Sequence, residues 1–272
     1  MATTGPAFVW SVVDWIYSLL IRIILAILAA GPMPKHICFV MDGNRRYARS
    51  HAKRVQEGHT QGFHALHRIL DVCLQLNIRC VSVYAFAIEN FKRPEEEVTA
   101  LMDLAKNKLI EMTQKGELLD RNGVRVNIIG RREMLPHDVQ EVAKRVEDMT
   151  RHHTNAILNI CMPYASRHEM TDAIDEAIRR CDGSPEDIDE DEIEKHLEMT
   201  ARGSPPLDVL IRTSGTYRLS DYMLWQACEN TQLYFTSTYW PDFGLRDFVP
   251  ILLAFQKRVW ASASSSLPSH SS

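Results

Sequence analysis

Six short apolar runs, near 36–41, 80–86, 124–129, 156–161, 208–211 and 232–236, alternate with segments whose apolar residues recur at helical spacing. Between the first two runs Phe63, Leu66, Ile69, Leu70, Cys73 and Leu76 fall on one helical face. Between the next two, Val98, Leu101, Met102, Ala105, Leu109 and Met112 do the same. Strands buried on both faces read as continuous apolar runs, and parallel neighbours need a crossover, usually a helix. The pattern predicts a single α/β domain with a mostly parallel six-stranded sheet flanked by helices. A chain of 272 residues can bury one such core, and no internal repeat divides it.

The ends differ from this middle. Phe8 to Ala30 is almost wholly apolar, interrupted by Asp14 and Arg22, with Trp10, Trp15 and Tyr17 suited to a membrane interface. No basic stretch precedes it and no small-residue cleavage site precedes Gly31, which argues against a cleaved signal peptide. The expectation is a helix lying on or inserted into the cytosolic leaflet, with a full span, or packing against the chain's own domain or a partner, as alternatives. Residues 1–30 are thus read as a membrane-associating segment, 31–260 as the globular domain, and 261–272, rich in serine and alanine, as a disordered tail. The acidic stretch from Glu186 to Glu194 reads as a solvated loop and helix start. Cys38, Cys73, Cys80 and Cys161 sit in apolar patterns without metal spacing and read as reduced core residues.

A net charge of −4 argues against a general nucleic-acid surface, so arginine clusters point to local anion sites. Two such clusters follow buried strands. The first is Asp42-Gly43-Asn44-Arg45-Arg46: a carboxylate able to hold a divalent cation, a glycine that lets backbone amides approach an anion, and two guanidinium forks. Taken alone it reads equally well as a strand end whose residues tolerate positive φ. The second is Arg212-Thr213-Ser214-Gly215-Thr216-Tyr217-Arg218-Leu219-Ser220, which interleaves arginines with small hydroxyl residues, and a helical apolar pattern follows at Met223, Leu224 and Ala227. In open parallel sheets ligands bind beyond the carboxyl ends of the strands, where both turns belong. Metal, glycine and arginines at two strand ends suggest a site for a metal-bound diphosphate and a second phosphate group.

These turns, with Glu57-Gly58-His59, Tyr84 to Pro94 (YAFAIENFKRP) and Leu224-Trp225-Gln226, resemble the signature blocks of the cis-prenyltransferases, the undecaprenyl diphosphate synthase family. The likeness runs in order from about Gly31 to Phe255, and Arg45-Arg46 with the lead-in Gly31 to His36 resembles the eukaryotic dehydrodolichyl diphosphate synthase catalytic subunit. The resemblance implies an enzyme that elongates farnesyl diphosphate with successive isopentenyl diphosphate units. Its product would be a ditrans,polycis-polyprenyl diphosphate, used for dolichol and protein glycosylation. It implies Mg2+ held by Asp42 and an allylic diphosphate held by Gly43, Asn44, Arg45, Arg46, Tyr47, His59 and Arg93. Isopentenyl diphosphate would be held by Arg212, Arg218 and Ser220. Asn90 stands where proton removal is sometimes assigned; a neutral amide is a poor base, so positioning or relay is the better role. His59 reads equally as a packing residue at a helix start, and Glu97 as an N-terminal helix carboxylate. The apolar stripe from Val98 to Met112, with Ile128 and Ile129, would line an apolar product tunnel.

Several positions depart from the family pattern. Val55 stands where an arginine is common, Ala87 where a serine is common, and Thr216 where a glutamate is common; near Gln232 a metal-associated glutamate of bacterial members is not matched. Lys257-Arg258-Val259-Trp260 and the tail hold no Arg-x-Gly element, which single-subunit members use at a neighbour's active site. The resemblance then implies a Nogo-B-receptor-like accessory subunit supplying that element, on the endoplasmic reticulum membrane with the catalytic domain facing the cytosol. The competing readings are a non-catalytic accessory subunit of the same complex, a metal-dependent phosphatase using Asp42 as nucleophile, and a phospholipid-binding module without turnover.

Overall fold

All six expected strands form, and every pairing between them is parallel. The structure, a computed structural model, describes residues 5–114, 117–181 and 188–265. In chain order the elements are α1 (Gly5–Ala29), β1 (His36–Val40), α2 (Asn44–Ser50), α3 (Val55–Gln75), β2 (Cys80–Tyr84), α4 (Glu95–Gln114), α5 (Glu117–Asn122) and β3 (Val124–Ile129). They continue as α6 (His137–Thr150), β4 (Ala156–Cys161), α7 (Ser166–Arg180), α8 (Glu190–His196), α9 (Glu198–Ala201), β5 (Val209–Arg212), β6 (Gln232–Phe235) and α10 (Leu245–Ser265). The sheet order is β3-β4-β2-β1-β5-β6. From β1 the chain first builds outward through β2, and later returns to lay β5 on the other side of β1. That reversal opens a crevice between the carboxyl ends of β1 and β5, where Val40 is in register with Arg212.

Alternate strand residues feed two cores. Ile37 and Phe39 of β1, with Val209 and Ile211 of β5, join the larger one, which takes in residues of α3, α4, α6 and α10. Phe39 packs against Trp240, Phe243 and Phe248 with ring centroids 5.6–6.2 Å apart. Cys38, Val40 and Leu210 face a smaller core with Met199, Leu207, Tyr222 and Met223. The four cysteines read as core residues are buried and free.

The smaller face also hides a polar row that the apolar reading of the strands does not anticipate. His36 Nε2 lies 2.7 Å from Ser82 Oγ, Asn159 Nδ2 donates to Ser82 Oγ (2.9 Å), and Asn127 Nδ2 donates to Asn159 Oδ1 (2.9 Å). His36 Nδ1 donates to the Pro205 carbonyl at 2.8 Å, leaving Nε2 as the acceptor from Ser82. Each buried polar group in the row is paired, as burial requires.

Three segments differ from their expected form. No helix forms at Met223, Leu224 and Ala227; the stretch is a series of turns. Ser220, Asp221 and Met223 hold left-handed φ of 54°, 59° and 48°, which a right-handed helix cannot include. Leu224 N donates instead to Ser166 Oγ (2.9 Å). The serine- and alanine-rich stretch after Trp260 continues α10 as far as Ser265; the remainder of the expected tail lies outside the described residues. The N-terminal segment is helical as expected, but among the described residues no helix is long and apolar enough to cross a membrane. Leu25 and Leu28 belong to the larger core, and Gln256 Nε2 holds the Leu28 carbonyl at 2.7 Å. Trp15, Ile16, Leu19, Leu20, Ile23, Ile24 and Ile27 remain exposed, while the side chains of Trp10 and Tyr17 lie outside the described residues.

Burial drives the His36 pKa down from 6.5 to about 4, against opposing contributions from the Pro205 carbonyl and Asp208. The unfolded chain therefore binds a proton between pH 6.5 and about 4 that the folded chain refuses, and stability falls as pH falls through that window. The loss amounts to about 3 kcal/mol for this group once pH reaches the lower limit. Urea unfolding at pH 7 and pH 4.5 should show this slope. His36→Gln, which keeps donor and acceptor but does not titrate, should reduce it, leaving the share of His59, whose pKa is lowered over the same window.

Candidate functional site

The two arginine turns meet at the crevice between β1 and β5. Arg212, the last residue of β5, extends Nη2 to 2.9 Å from Asp42 Oδ2, the carboxylate just past β1. The Arg212 side chain is 4% exposed and that of Asp42 30%, so the pair sits at the inner edge of an open site. Thr213 fastens the same junction through the backbone: its hydroxyl accepts from Asp42 N (3.0 Å) and donates to Asp42 O (2.7 Å). Gly43 holds φ at +102°, and a Cβ there would lie 2.8 Å from the Tyr239 ring and 2.9 Å from Ser214 Cβ. Only glycine lets the two turns close together at this point.

Arg212 also organises its own turn. Nη1 donates to the Arg218 carbonyl (2.5 Å) and to Ser220 Oγ (2.8 Å), and Arg218 Nε donates to the same hydroxyl (3.2 Å). Tyr84 OH donates to the Ser220 carbonyl at 3.2 Å, tying the turn to β2. Partial burial acts to raise the Asp42 pKa. The hydrogen bond and charge of Arg212, the Gly43 amide and the charge of Arg46 outweigh it, and hold the carboxyl below the ordinary range. Asp42 is therefore ionised at neutral pH.

A second group of cations gathers around Glu97 on the first turn of α4. Arg93 Nη1 donates to Glu97 Oε1 at 2.8 Å, Arg45 Nη1 lies 3.6 Å from Oε2, and His59 Nε2 stands 4.0 Å from Oε1. The Glu97 side chain is only 16% exposed. It is thus the N-terminal helix carboxylate expected from the sequence and, in addition, the anion on which Arg93 and Arg45 converge, with His59 beside them. The i,i+4 spacing of Arg93 and Glu97 was its one sequence signal. His59 Nε2 is buried without a hydrogen-bond partner. Burial, then the nearby charge of Arg93, brings its pKa down to about 4.

Both groups line one cavity of about 430 Å³. Its polar end is made by Asp42, Arg45, His59, Asn90, Arg93, Arg212, Arg218 and Ser220; its apolar body by Phe63, Leu66, Leu101, Leu104, Leu109 and Met112 among others. Of the expected α4 stripe, Leu101, Ala105, Leu109 and Met112 line it, whereas Val98 and Met102 pack into the larger core, and Ile128 and Ile129 do not line it. Ile128 is buried in the larger core, and Ile129 faces the smaller core on the opposite side of the sheet, as strand alternation requires.

Other expected binding residues are placed differently. Arg46 is spent on the neighbouring turn: it donates to the Ser214 carbonyl (3.0 Å), the Ser214 hydroxyl and Thr216 Oγ1 (3.3 Å), and is not among the cavity-lining residues. Tyr47 is likewise outside the lining; its ring packs on His51 at 4.2 Å. Asn44 lines the cavity while its Nδ2 holds the Met41 carbonyl (3.1 Å), and Asn90 Oδ1 accepts from Ala87 N (3.2 Å). Arg54, beside the departing Val55, points to Glu57 and is exposed.

Among the described residues no group of three or more His, Cys, Asp or Glu side chains could hold a metal unaided. A single ionised, partly exposed carboxylate beside the Arg212 and Arg46 guanidinium groups nevertheless fits magnesium, which takes one or two carboxylates and completes its shell with phosphate oxygens and water. The arrangement as a whole is a cavity with an apolar body and, at one end, two sets of cationic and polar groups. It can hold a molecule with a long hydrocarbon tail and a diphosphate head next to a second diphosphate.

Residues 40–261 match the family model described as putative undecaprenyl diphosphate synthase. The chain is 46% identical over 246 residues to a dehydrodolichyl diphosphate synthase complex subunit of Schizosaccharomyces pombe, covering 89% of this chain and 92% of that one. It is 44% identical over 233 residues to the corresponding human complex subunit, covering 85% and 69%. Among solved structures, lavandulyl diphosphate synthase from Lavandula x intermedia, in complex with dimethylallyl diphosphate, superposes with a TM-score of 0.77 at 29% identity, covering 82% of this chain and 95% of that one.

The His59 imidazole should titrate near pH 4 by NMR and be neutral at pH 7. Adding inorganic pyrophosphate should raise its pKa, because an anion favours the imidazolium. Glu97→Gln should lower it further, since Glu97 acts to raise it. A value near the ordinary 6.5 in the free protein would contradict the packing described.

Proposed function

The chain belongs to the undecaprenyl diphosphate synthase family of cis-prenyltransferases, and from that premise we propose that it makes a long polyprenyl diphosphate of the ditrans,polycis type. The proposed substrates are farnesyl diphosphate and repeated units of isopentenyl diphosphate, and the proposed product is the dehydrodolichyl diphosphate that leads to dolichol for protein glycosylation. The observation that carries this reading is the one cavity that joins an apolar body to both anion-binding groups.

In this reading Arg45, Arg93 and His59 hold the allylic diphosphate, while the Asp42 turn, with Gly43 and Asn44, shapes its floor. Arg212, Arg218 and Ser220 hold isopentenyl diphosphate. The allylic carbon–oxygen bond breaks and releases diphosphate, the isopentenyl double bond forms the new carbon–carbon bond, and the released diphosphate takes up the proton lost from the condensing unit. Arginines fixed before substrate arrives stabilise the charge that develops on the departing diphosphate without reorganising at that moment. Asp42 would hold magnesium, which neutralises diphosphate charge as a Lewis acid. Phe63, Leu66 and the α4 stripe keep water from the allylic cation. Asn90, whose carbonyl is occupied by Ala87, positions substrate through its free amide nitrogen and does not act as the base. Arg46 contributes indirectly, by locking the Ser214 turn against Asp42.

The catalytic domain is proposed to span residues 31–260, with α1 resting its exposed apolar face on the endoplasmic reticulum membrane from the cytosolic side. The exposed row from Trp15 to Ile27 supports that placement. An accessory subunit of the Nogo-B-receptor type, supplying an Arg-x-Gly element, completes the site. The names of the two relatives as complex subunits support a heteromer.

The test is elongation of farnesyl diphosphate by labelled isopentenyl diphosphate with magnesium, using the chain alone and co-expressed with its partner. Long polyprenyl products are expected, with greater turnover in the complex. Asp42→Ala and Arg212→Ala should each lower the rate by about 100-fold or more, the scale for removing a transition-state electrostatic partner. Phosphate release without chain growth would replace this reading with hydrolysis, and equal turnover by the chain alone would remove the heteromer.

A further inference from the structure

The wall of the cavity carries one charge where its chemistry asks for none. On α4 the lining residues Leu101, Leu104, Ala105, Lys108, Leu109 and Met112 follow helical spacing, and Lys108 is the sole ionisable member of that stripe. It is not a solvated surface lysine. Its side chain is 20% exposed, and Nζ sits 4.5 Å from the centroid of the Phe63 ring, which lines the cavity from α3. Nζ also donates to Glu111 Oε2 at 2.8 Å, a carboxylate on the outer side that is 41% exposed. The ammonium thus bridges α3 and α4 through a cation–π contact inside and an ion pair outside.

Its depth matters. Glu97, which gathers the cations at the polar end, lies eleven residues earlier on the same helix. At the rise of an α-helix that places Lys108 about 16 Å further along the axis. No diphosphate held by Arg45 and Arg93 reaches it. On its cavity side, what lies beside Lys108 is hydrocarbon, from Phe63, Leu104, Leu109 and Met112.

We propose that Lys108 is a product-length-determining residue: a fixed positive charge over Phe63 that makes further growth of a hydrocarbon chain along this wall less favourable. This rests on the transferase reading of the cavity. Each prenyl unit pushed deeper is driven by removal of apolar surface from water. Where the next wall position is an ammonium, the incoming unit covers a charged group and interrupts its contact with Phe63, so the gain from that unit is reduced. The stem methylenes still offer apolar contact, so the chain passes rather than stops. The charge acts on the partition between adding a unit and releasing product.

The experiment is the chain-length distribution made by the complete complex from farnesyl diphosphate and labelled isopentenyl diphosphate. Lys108→Met keeps the stem and removes the charge; the distribution should shift longer by at least one unit. Lys108→Arg keeps the charge and the contact with Phe63, and its distribution should match wild type. The comparison is made on product length, so a variant with reduced yield still reports. An unchanged distribution in Lys108→Met, a shift to shorter products, or an equal lengthening in Lys108→Arg would overturn the role of the charge. A wild-type complex that elongates nothing would overturn the transferase reading and this inference with it, whereas normal wild-type elongation with an indifferent Lys108→Met would overturn the inference alone.

Discussion

The bridge between Asp42 and Arg212 holds the site in its shape. It joins the carboxyl ends of β1 and β5 at the point where the sheet reverses its direction of growth, and it pairs a charged group of one turn with a charged group of the other. Arg212 brings a nearly buried guanidinium to that point, a costly arrangement without an anion beside it. Asp42 supplies the anion, remains ionised because of it, and keeps enough exposure to face a ligand. Thr213 repeats the link through the backbone, so carboxylate and guanidinium approach in a single geometry.

Around this bridge the site separates two kinds of positive charge. Arg212 and Arg218 are directed by their own turn, whereas Arg45 and Arg93 converge onto Glu97, with the neutral His59 beside them. Glu97 lets like charges lie close together in a partly buried site before any diphosphate arrives. A ligand anion entering there meets donors already oriented, with little left to rearrange. The neutral His59, with its orphaned ring nitrogen, is the group whose state most depends on what enters.

The apolar body of the cavity is a consequence of how the larger core is built. Residues of α3 and α4 bury part of their stripes in the core and leave part facing the cavity, so Leu109 belongs to both. Stripe and spacing were legible in the chain because helical periodicity is local. The lining from the sheet was not: Ile128 and Ile129 look alike in sequence, yet neither reaches the cavity, and alternation sends them to different cores. The polar row from His36 to Asn127 was equally hidden, since Ser82, Asn127 and Asn159 are satisfied only by one another across neighbouring strands. At Met223 the apolar pattern pointed to a helix, and left-handed residues demanded by the turn overrode it.

By itself the sequence determined the six buried strands, their crossover helices, and the two arginine turns at strand ends, because each rests on residue type and short-range spacing. Family membership was legible for the same reason. Only the tertiary structure decided which arginines face the cavity. Arg45 and Arg46 are neighbours of identical chemistry, but one turns to Glu97 and the cavity while the other is consumed by Ser214 and Thr216. It also decided that Lys108 stands on the cavity wall and that Asp42 meets Arg212. Those outcomes depend on contacts between residues far apart in the chain, and the direction of a side chain is set by the partners that satisfy it, not by its neighbours in sequence.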